Sequence, residues 1–183
     1  MLLGLGVGLL VLGAGAVVMT VADDGDSSES TAPQRAAESS SPATWRLGYE
    51  GFGPIKLGMT VAEASTASGQ LVTENRGCET AHIDGYADDF GFTLADGRIT
   101  TVSMWGTGLQ TISGAHSGMT EAEVLRIYPG ATRVSGPNAA SMLRITGGHG
   151  ALVDFHLVPD GDTVGSIVVA QNTDYVEWLS PCD

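Results

Sequence analysis

The side chains best suited to chemistry in this chain are two cysteines, four histidines and a scatter of acids. Cys78 and His82 stand four apart, a spacing at which a thiolate and its base could meet. Such a nucleophile needs a third group to orient the histidine, and the sequence offers none nearby. The other histidines are His116, His149 and His156. Only the Asp154-x-His156 pair has strand spacing that points both side chains to one side, as two ligands of a metal edge would. Two ligands do not make a site, and a solvated sheet face is the plainer reading. Asp88-Asp89, near Glu79 and Asp84, could serve as the acid pair of a glycoside hydrolase. With 21 acids in 183 residues, however, such clustering carries little information. Ser117 lies in Gly114-Ala115-His116-Ser117-Gly118, which is not a nucleophile elbow, and Gly147-Gly148-His149-Gly150 lacks the lysine and following helix of a phosphate loop. The expectation is no catalytic residue, no metal, no cofactor and no nucleotide.

Charge excludes further classes. The 183 residues carry a net charge of −13, and Lys56 is the only lysine. No basic surface exists to displace counterions from nucleic-acid phosphates, nor to bind an anionic bilayer.

The elements that position these residues fall into three stretches. Residues 1–22 hold no charged side chain and read as a transmembrane anchor or a signal peptide. As a helix they would reach about 33 Å, enough for a hydrocarbon core of about 30 Å. Small residues at Ala14-Gly15-Ala16 and Thr20-Val21-Ala22 keep cleavage open as the alternative. Residues 23–45 form an acidic, serine-rich linker, expected to be disordered because it has too little apolar surface to offset chain entropy. Residues 46–183 are expected to form one extracytoplasmic domain. Two cysteines behind an export segment most simply form one disulfide, so Cys78 is expected to pair with Cys182. That bond would close a loop of about 100 residues, worth up to about 4.7 kcal/mol in the chain-entropy account. It would also pin a tail at 172–183, with Tyr175 and Trp178, to the first half of the domain.

The domain reads as a duplication. Gly58-Met59-Thr60-Val61-Ala62-Glu63 recurs as Gly118-Met119-Thr120-Glu121-Ala122-Glu123, sixty residues on. Each threonine and the glutamate three residues later form a capping-box pattern, with helices expected to stop at Gly69 and Gly130. Downstream, Asp96-Gly97 and Asp160-Gly161 sit between alternating apolar runs, a hairpin signal. Repeat one spans 51–106 and repeat two 109–171. The expected class is α+β: a tandem short-helix plus antiparallel-meander unit, helices on one face of the sheet, after one N-terminal hydrophobic helix. The first helix, with an apolar stripe of only Val61, Ala64 and Ala67, should pack more shallowly than the second, with Val124, Leu125 and Tyr128.

The strings Gly53–Ala64 and Ser117–Ala131, together with Cys78 and the C-terminal Tyr175–Asp183, resemble secreted or membrane-anchored actinobacterial envelope proteins of uncharacterised activity. The Gly-Met-Thr helix-and-sheet unit also resembles the tandem repeats of β-lactamase inhibitor proteins and the single repeat of SmpA/OmlA lipoproteins. That resemblance implies the fold of a binding module. It departs in its cysteines, because inhibitor repeats tend to carry one disulfide each. No inhibitory residue carries over by position.

Alternation also marks an interface. With Val102, Met104, Ala151, Val153, Phe155, Leu157, Ile167 and Val169 under the helices, the opposite face presents Trp105, Leu152, Asp154, His156 and Val168. An exposed tryptophan among apolar and polar groups has the composition of an interface centre. The reading is a non-enzymatic extracytoplasmic binding module whose partner is a protein or a cell-wall polymer, held at the cell membrane by residues 1–22 or secreted. A small cell-wall hydrolase or lyase and a structural envelope spacer are the alternatives.

Overall fold

Two threonines start the two helices, and both do so through reciprocal bonds. The Thr60 hydroxyl accepts from the Glu63 N–H at 3.2 Å, while Glu63 Oε2 accepts from the Thr60 N–H at 2.8 Å. Thr120 and Glu123 repeat the arrangement at 3.3 and 2.8 Å. Two donors that the helix itself leaves orphaned are thereby satisfied at each start. These bonds, and the hydrogen-bonded backbone N–H groups with them, hold both glutamates below the usual carboxylate range. Helix α1 (Val61–Ser68) ends on Gly69, left-handed at φ 65°. Helix α2 (Glu121–Ile127) stops at Tyr128, ahead of the expected Gly130. The reason is Pro129, whose ring disfavours helical backbone in the residue before it.

The structure is a computed structural model that describes residues 41–136, 140–159 and 161–171. The expected N-terminal anchor, most of the linker, the tail at 172–183 and Cys182 lie outside the described residues. Among the described residues no helix is long and apolar enough to cross a membrane. Residues 41–45, read above as the end of a disordered linker, belong to the fold. Pro42–Thr44 form a 3-10 turn, and Trp45 is buried edge-on against Phe52 with ring centroids 5.5 Å apart. An indole that loses its water this completely orders the chain before it.

The architecture is α+β. Strands β1 (Arg46–Gly48), β2 (Gly51–Phe52), β3 (Ile55–Lys56) and β8 (Gln110–Thr111) make a small sheet in the order β3-β2-β1-β8. The large sheet holds β4 (Val72–Glu74), β5 (Thr80–Ile83), β6 (Phe90–Ala95) and β7 (Arg98–Met104). It continues with β9 (Thr132–Ser135), β10 (Ser141–Thr146), β11 (Ala151–Leu157) and β12 (Val164–Gln171). All eight pair antiparallel in the order β4-β5-β6-β7-β12-β11-β10-β9, reading outward from the central β7–β12 pair on both sides. Each meander therefore has four strands, one more than alternation suggests. The extra strands, β4 and β9, are short and polar edges. Asp96 and Gly97 both take positive φ, 51° and 71°, in the two-residue turn expected between β6 and β7. The second hairpin closes farther out, with the Val158 N–H donating to the Thr163 carbonyl at 2.9 Å.

One core lies between the large sheet, both helices and the small sheet. It includes Phe52, Phe90, Phe92, Val102, Met104, Val153, Phe155, Ile167 and Val169, with Ala64 from α1 and Val124 from α2. Tyr128 adds its ring to Phe155 at 5.5 Å and donates its hydroxyl to Thr111 Oγ1 at 2.9 Å. The stripe of α1 differs from expectation at its end. Ala67 is exposed, and the buried Ser68 replaces it by donating its hydroxyl to the Ala64 carbonyl at 2.7 Å. Replacing Thr60 or Thr120 by alanine is expected to lower unfolding free energy by about 1 kcal/mol each, and by about 2 kcal/mol together, as measured by urea denaturation.

Candidate functional site

Strand parity builds the far face of the large sheet, the one turned away from the helices. Arg144 of β10, Asp154 of β11, Val168 of β12, Ser103 of β7 and Gly91 of β6 stand opposite one another in one row. The adjacent row runs Thr146, Leu152, Ala170, Thr101, Thr93 and Thr80. On the other side lie Met142, His156 and Ser166. Trp105, just past β7, lies over Gly91, where any side chain would meet the indole at 3.2 Å.

All five expected interface residues thus share one face, as alternation requires, but the structure does not leave that face open. Trp105 is 37% exposed, whereas Leu152, Asp154 and Val168 are 3%, 0% and 1% exposed, and His156 is half-buried. The correction is physical: a carboxylate at the centre of this face carries its own counter-ion and has been removed from water. Arg144 donates from Nε to Asp154 Oδ1 at 2.8 Å and from Nη2 to Oδ2 at 2.7 Å. A bidentate guanidinium pair of this kind is what a buried carboxylate requires. Arg144 was not singled out from sequence; the one signal for it is a lone arginine at an alternating position in Ser141–Thr146.

That pairing also decides the metal-edge reading. Asp154 and His156 do lie on one face, but both carboxylate oxygens of Asp154 are already taken by Arg144. Burial lowers the His156 pKa, opposed by the Asp154 charge and reinforced by Arg144, so the ring is held neutral. No group of three potential metal ligands occurs among the described residues.

Several of the remaining candidates take part in the fold, whereas Glu79, Asp84 and Asp88 are exposed. His82 Nε2 lies 3.3 Å from Asp84 Oδ1. Cys78 sits in the β4–β5 turn, its N–H donating to the Asn75 carbonyl at 3.0 Å, and no described cysteine is free. The Asp89 carbonyl accepts from the N–H groups of Trp105 and Gly106, both at 2.9 Å, and so anchors the end of β7. Ser117 is buried and donates its hydroxyl to the Gly165 carbonyl at 2.7 Å. His116 engages the Ser117 carbonyl through Nδ1 at 2.8 Å.

The half of the far face on β4–β7 is different in kind. Thr73, Thr80, His82, Thr93 and Thr101 are all half-exposed there, beside Trp105. These hydroxyls can each donate and accept. Sequence reasoning missed this strip, because threonines at alternate positions look like ordinary solvated strand residues. No family model, curated protein or solved structure matches this chain.

Asp154→Leu strands the Arg144 charge in a covered site and is expected to cost about 3–5 kcal/mol. The double variant Arg144→Met/Asp154→Leu should recover most of that loss, since no unpaired charge then remains. Urea denaturation of the four members of this cycle measures both terms.

Proposed function

We propose that this protein is a non-enzymatic extracytoplasmic binding module of the cell envelope, whose partner is a protein or an envelope polymer. The observation that supports it best is Trp105, a large side chain 37% exposed, held over Gly91 beside a strip of half-exposed threonines. Indole supplies broad apolar contact at low entropic cost, and the hydroxyls satisfy whatever polar groups a partner brings. The interface is therefore narrower than the five residues named from sequence. It centres on Trp105, with His156 at its border, rather than on Leu152, Asp154 and Val168.

The same proposal holds that the two halves of the domain arose by duplication and share the module of β-lactamase inhibitor and SmpA/OmlA-type proteins. Support comes from the matched capping boxes and from a strand order that reads outward from β7–β12. Residues 1–22 then tether the domain to the membrane, or are removed on secretion. An oxidising location fits a Cys78–Cys182 disulfide. Peptide mapping of the exported protein without reductant should give one linked peptide holding both cysteines; free alkylation of both would remove the pairing and the main support for an outside location.

Crosslinking in intact cells, read by mass spectrometry, tests the function. A reproducible envelope partner is expected, and Trp105→Ala should reduce its recovery at least ~10-fold, the effect of losing a hot-spot residue. Release of products from purified wall fragments, abolished by changing Asp88 or Asp89, would instead establish the hydrolase alternative and end the binding-module reading.

A further inference from the structure

The accessible half of the far face is small. From β4 to β7 it spans three strand spacings of ~4.8 Å, about 14 Å. Along the strands it runs from the row of Thr80, Thr93 and Thr101 to Trp105, four residues beyond Thr101 and about 14 Å away. On one side the sheet ends at β4; past β7, Val168 and Leu152 are already buried. The footprint is therefore roughly 200 Å², against the ~800 Å² that each side of a stable protein interface buries. Its rows hold threonine, serine, glycine and one histidine, whereas the centre of a protein interface is mostly apolar. A small polar ligand fits this surface better than a folded partner does.

We propose that this surface binds a neutral glycan, a short run of uncharged sugar units. The inference rests on the binding-module reading and names the ligand class of that same site. A pyranose carries C–H groups on its ring faces and hydroxyls around its rim, so it needs a fixed apolar plate bordered by donors and acceptors. Trp105 is such a plate. The benzo end of its indole lies over Gly91, where an added Cβ would meet it at 3.2 Å, and its main-chain N–H donates to the Asp89 carbonyl at 2.9 Å. Gly106 leaves room for the Asp89 carboxylate, which a Cβ there would strike. Asp89 is half-buried, and its carboxylate can accept from a pair of sugar hydroxyls.

Register builds the hydroxyl rim. Thr80, Thr93 and Thr101 stand directly opposite one another across β5, β6 and β7, all half-exposed, at spacings of ~4.8 Å. Thr80 Oγ1 accepts from Asn75 Nδ2 at 2.7 Å, so its O–H is what it offers a ligand. The same register carried one residue on sets His82 against Gly91, the residue that the indole covers. Within β5–β7 neither row holds a lysine or arginine, and the chain carries −13. A phosphorylated, sulfated or uronic polymer therefore meets repulsion and no counter-charge. An uncharged polyol is the ligand class that the plate, the donors and the acceptors satisfy together.

Isothermal titration calorimetry of the full-length protein, in a zwitterionic detergent free of sugar, tests this. The probes are cellohexaose, laminarihexaose, maltohexaose and chitohexaose, with a hyaluronan hexasaccharide as the anionic counterpart. At least one neutral hexasaccharide is expected to bind, and more tightly than the anionic one. Trp105→Ala should weaken that binding at least ~10-fold. Thr93→Val, which removes one hydroxyl, should weaken it roughly threefold. Ile112→Ala, an exposed apolar residue next to the small sheet, should leave it unchanged. Failure of all four neutral probes, binding that survives Trp105→Ala, or hyaluronan bound as tightly as any neutral probe would each overturn the glycan site. If no sugar binds but crosslinking in cells captures a protein through Trp105, the glycan fails and the binding module stands. Cleavage of a bound hexasaccharide would do the reverse, keeping the glycan site and ending the non-enzymatic reading.

Discussion

The structure depends most on a two-bond clasp between each Gly-Met-Thr turn and the strand that completes its own meander. The Gly58 N–H donates to the Ile99 carbonyl at 2.7 Å, and the Ile99 N–H donates to the Met59 carbonyl at 2.8 Å. Gly118, Val164 and Met119 repeat the clasp at 2.7 and 2.8 Å. Both glycines sit at strongly positive φ, 86° and 89°, a conformation that a side chain would strain. Two residues later the threonine caps the helix, and both threonines form isolated bridges, to Arg98 and Thr163. Helices of eight and seven residues cannot persist alone in water. Their place is set by the clasp, which fixes the first turn against the sheet, more than by their thin apolar stripes. Because both clasps send their helices to the same side, one face of the sheet becomes the core and the other is left for a different use.

That other face is governed by the buried pair of Arg144 and Asp154. Taking a carboxylate out of water costs several kcal/mol, which the bidentate contact offsets only while both charges remain. Such a pair adds little net stability over an apolar isostere. It does restrict what can lie on the patch: a cover must be apolar over Leu152 and Val168 and tolerate a guanidinium at the edge. The neutral, desolvated His156 beside it points the same way, since its lowered pKa arises first from burial.

Local chemistry was legible in the sequence; coverage was not. The capping boxes, the Asp96-Gly97 turn and the division of β7, β11 and β12 into two faces all follow from patterns a few residues long, and these are where expectation and structure agree. The end of α2 was misplaced because Gly130 is a familiar stop signal, while Pro129 acts one residue earlier. Strands β4 and β9 escaped notice because three or four mostly polar residues give no alternation to count; their ladder partners create them. The small sheet rests on pairings between Arg46–Gly48 and Gln110–Thr111, some sixty residues apart, which no local window contains. On the far face, parity correctly grouped Trp105, Leu152, Asp154, His156 and Val168. It could not reveal that Arg144 would neutralise Asp154, because cross-strand register is set by turn lengths that the sequence leaves open. Fractional exposure was equally hidden, being a property of whatever lies above the sheet.

The row from Asp154 through Val168 and Ser103 to Gly91 explains why the accessible surface is confined to one half of this face. Side-chain bulk falls from Val168 through Ser103, and at Gly91 the backbone itself becomes the floor on which the Trp105 ring rests. Covered apolar groups occupy the high end, and an exposed indole occupies the low end. Between Trp105 and the β4 edge the surface is mostly threonine, whose branched side chains lose little rotamer freedom when a partner arrives. Hydroxyls that point up from a rigid sheet are already ordered, so contact with them carries a smaller entropic cost than contact with lysines or glutamates would. A partner seated there would gain most of its affinity from the indole and its orientation from the hydroxyls. The acidic balance of the chain, −13 overall, acts at longer range, turning away anionic partners before contact.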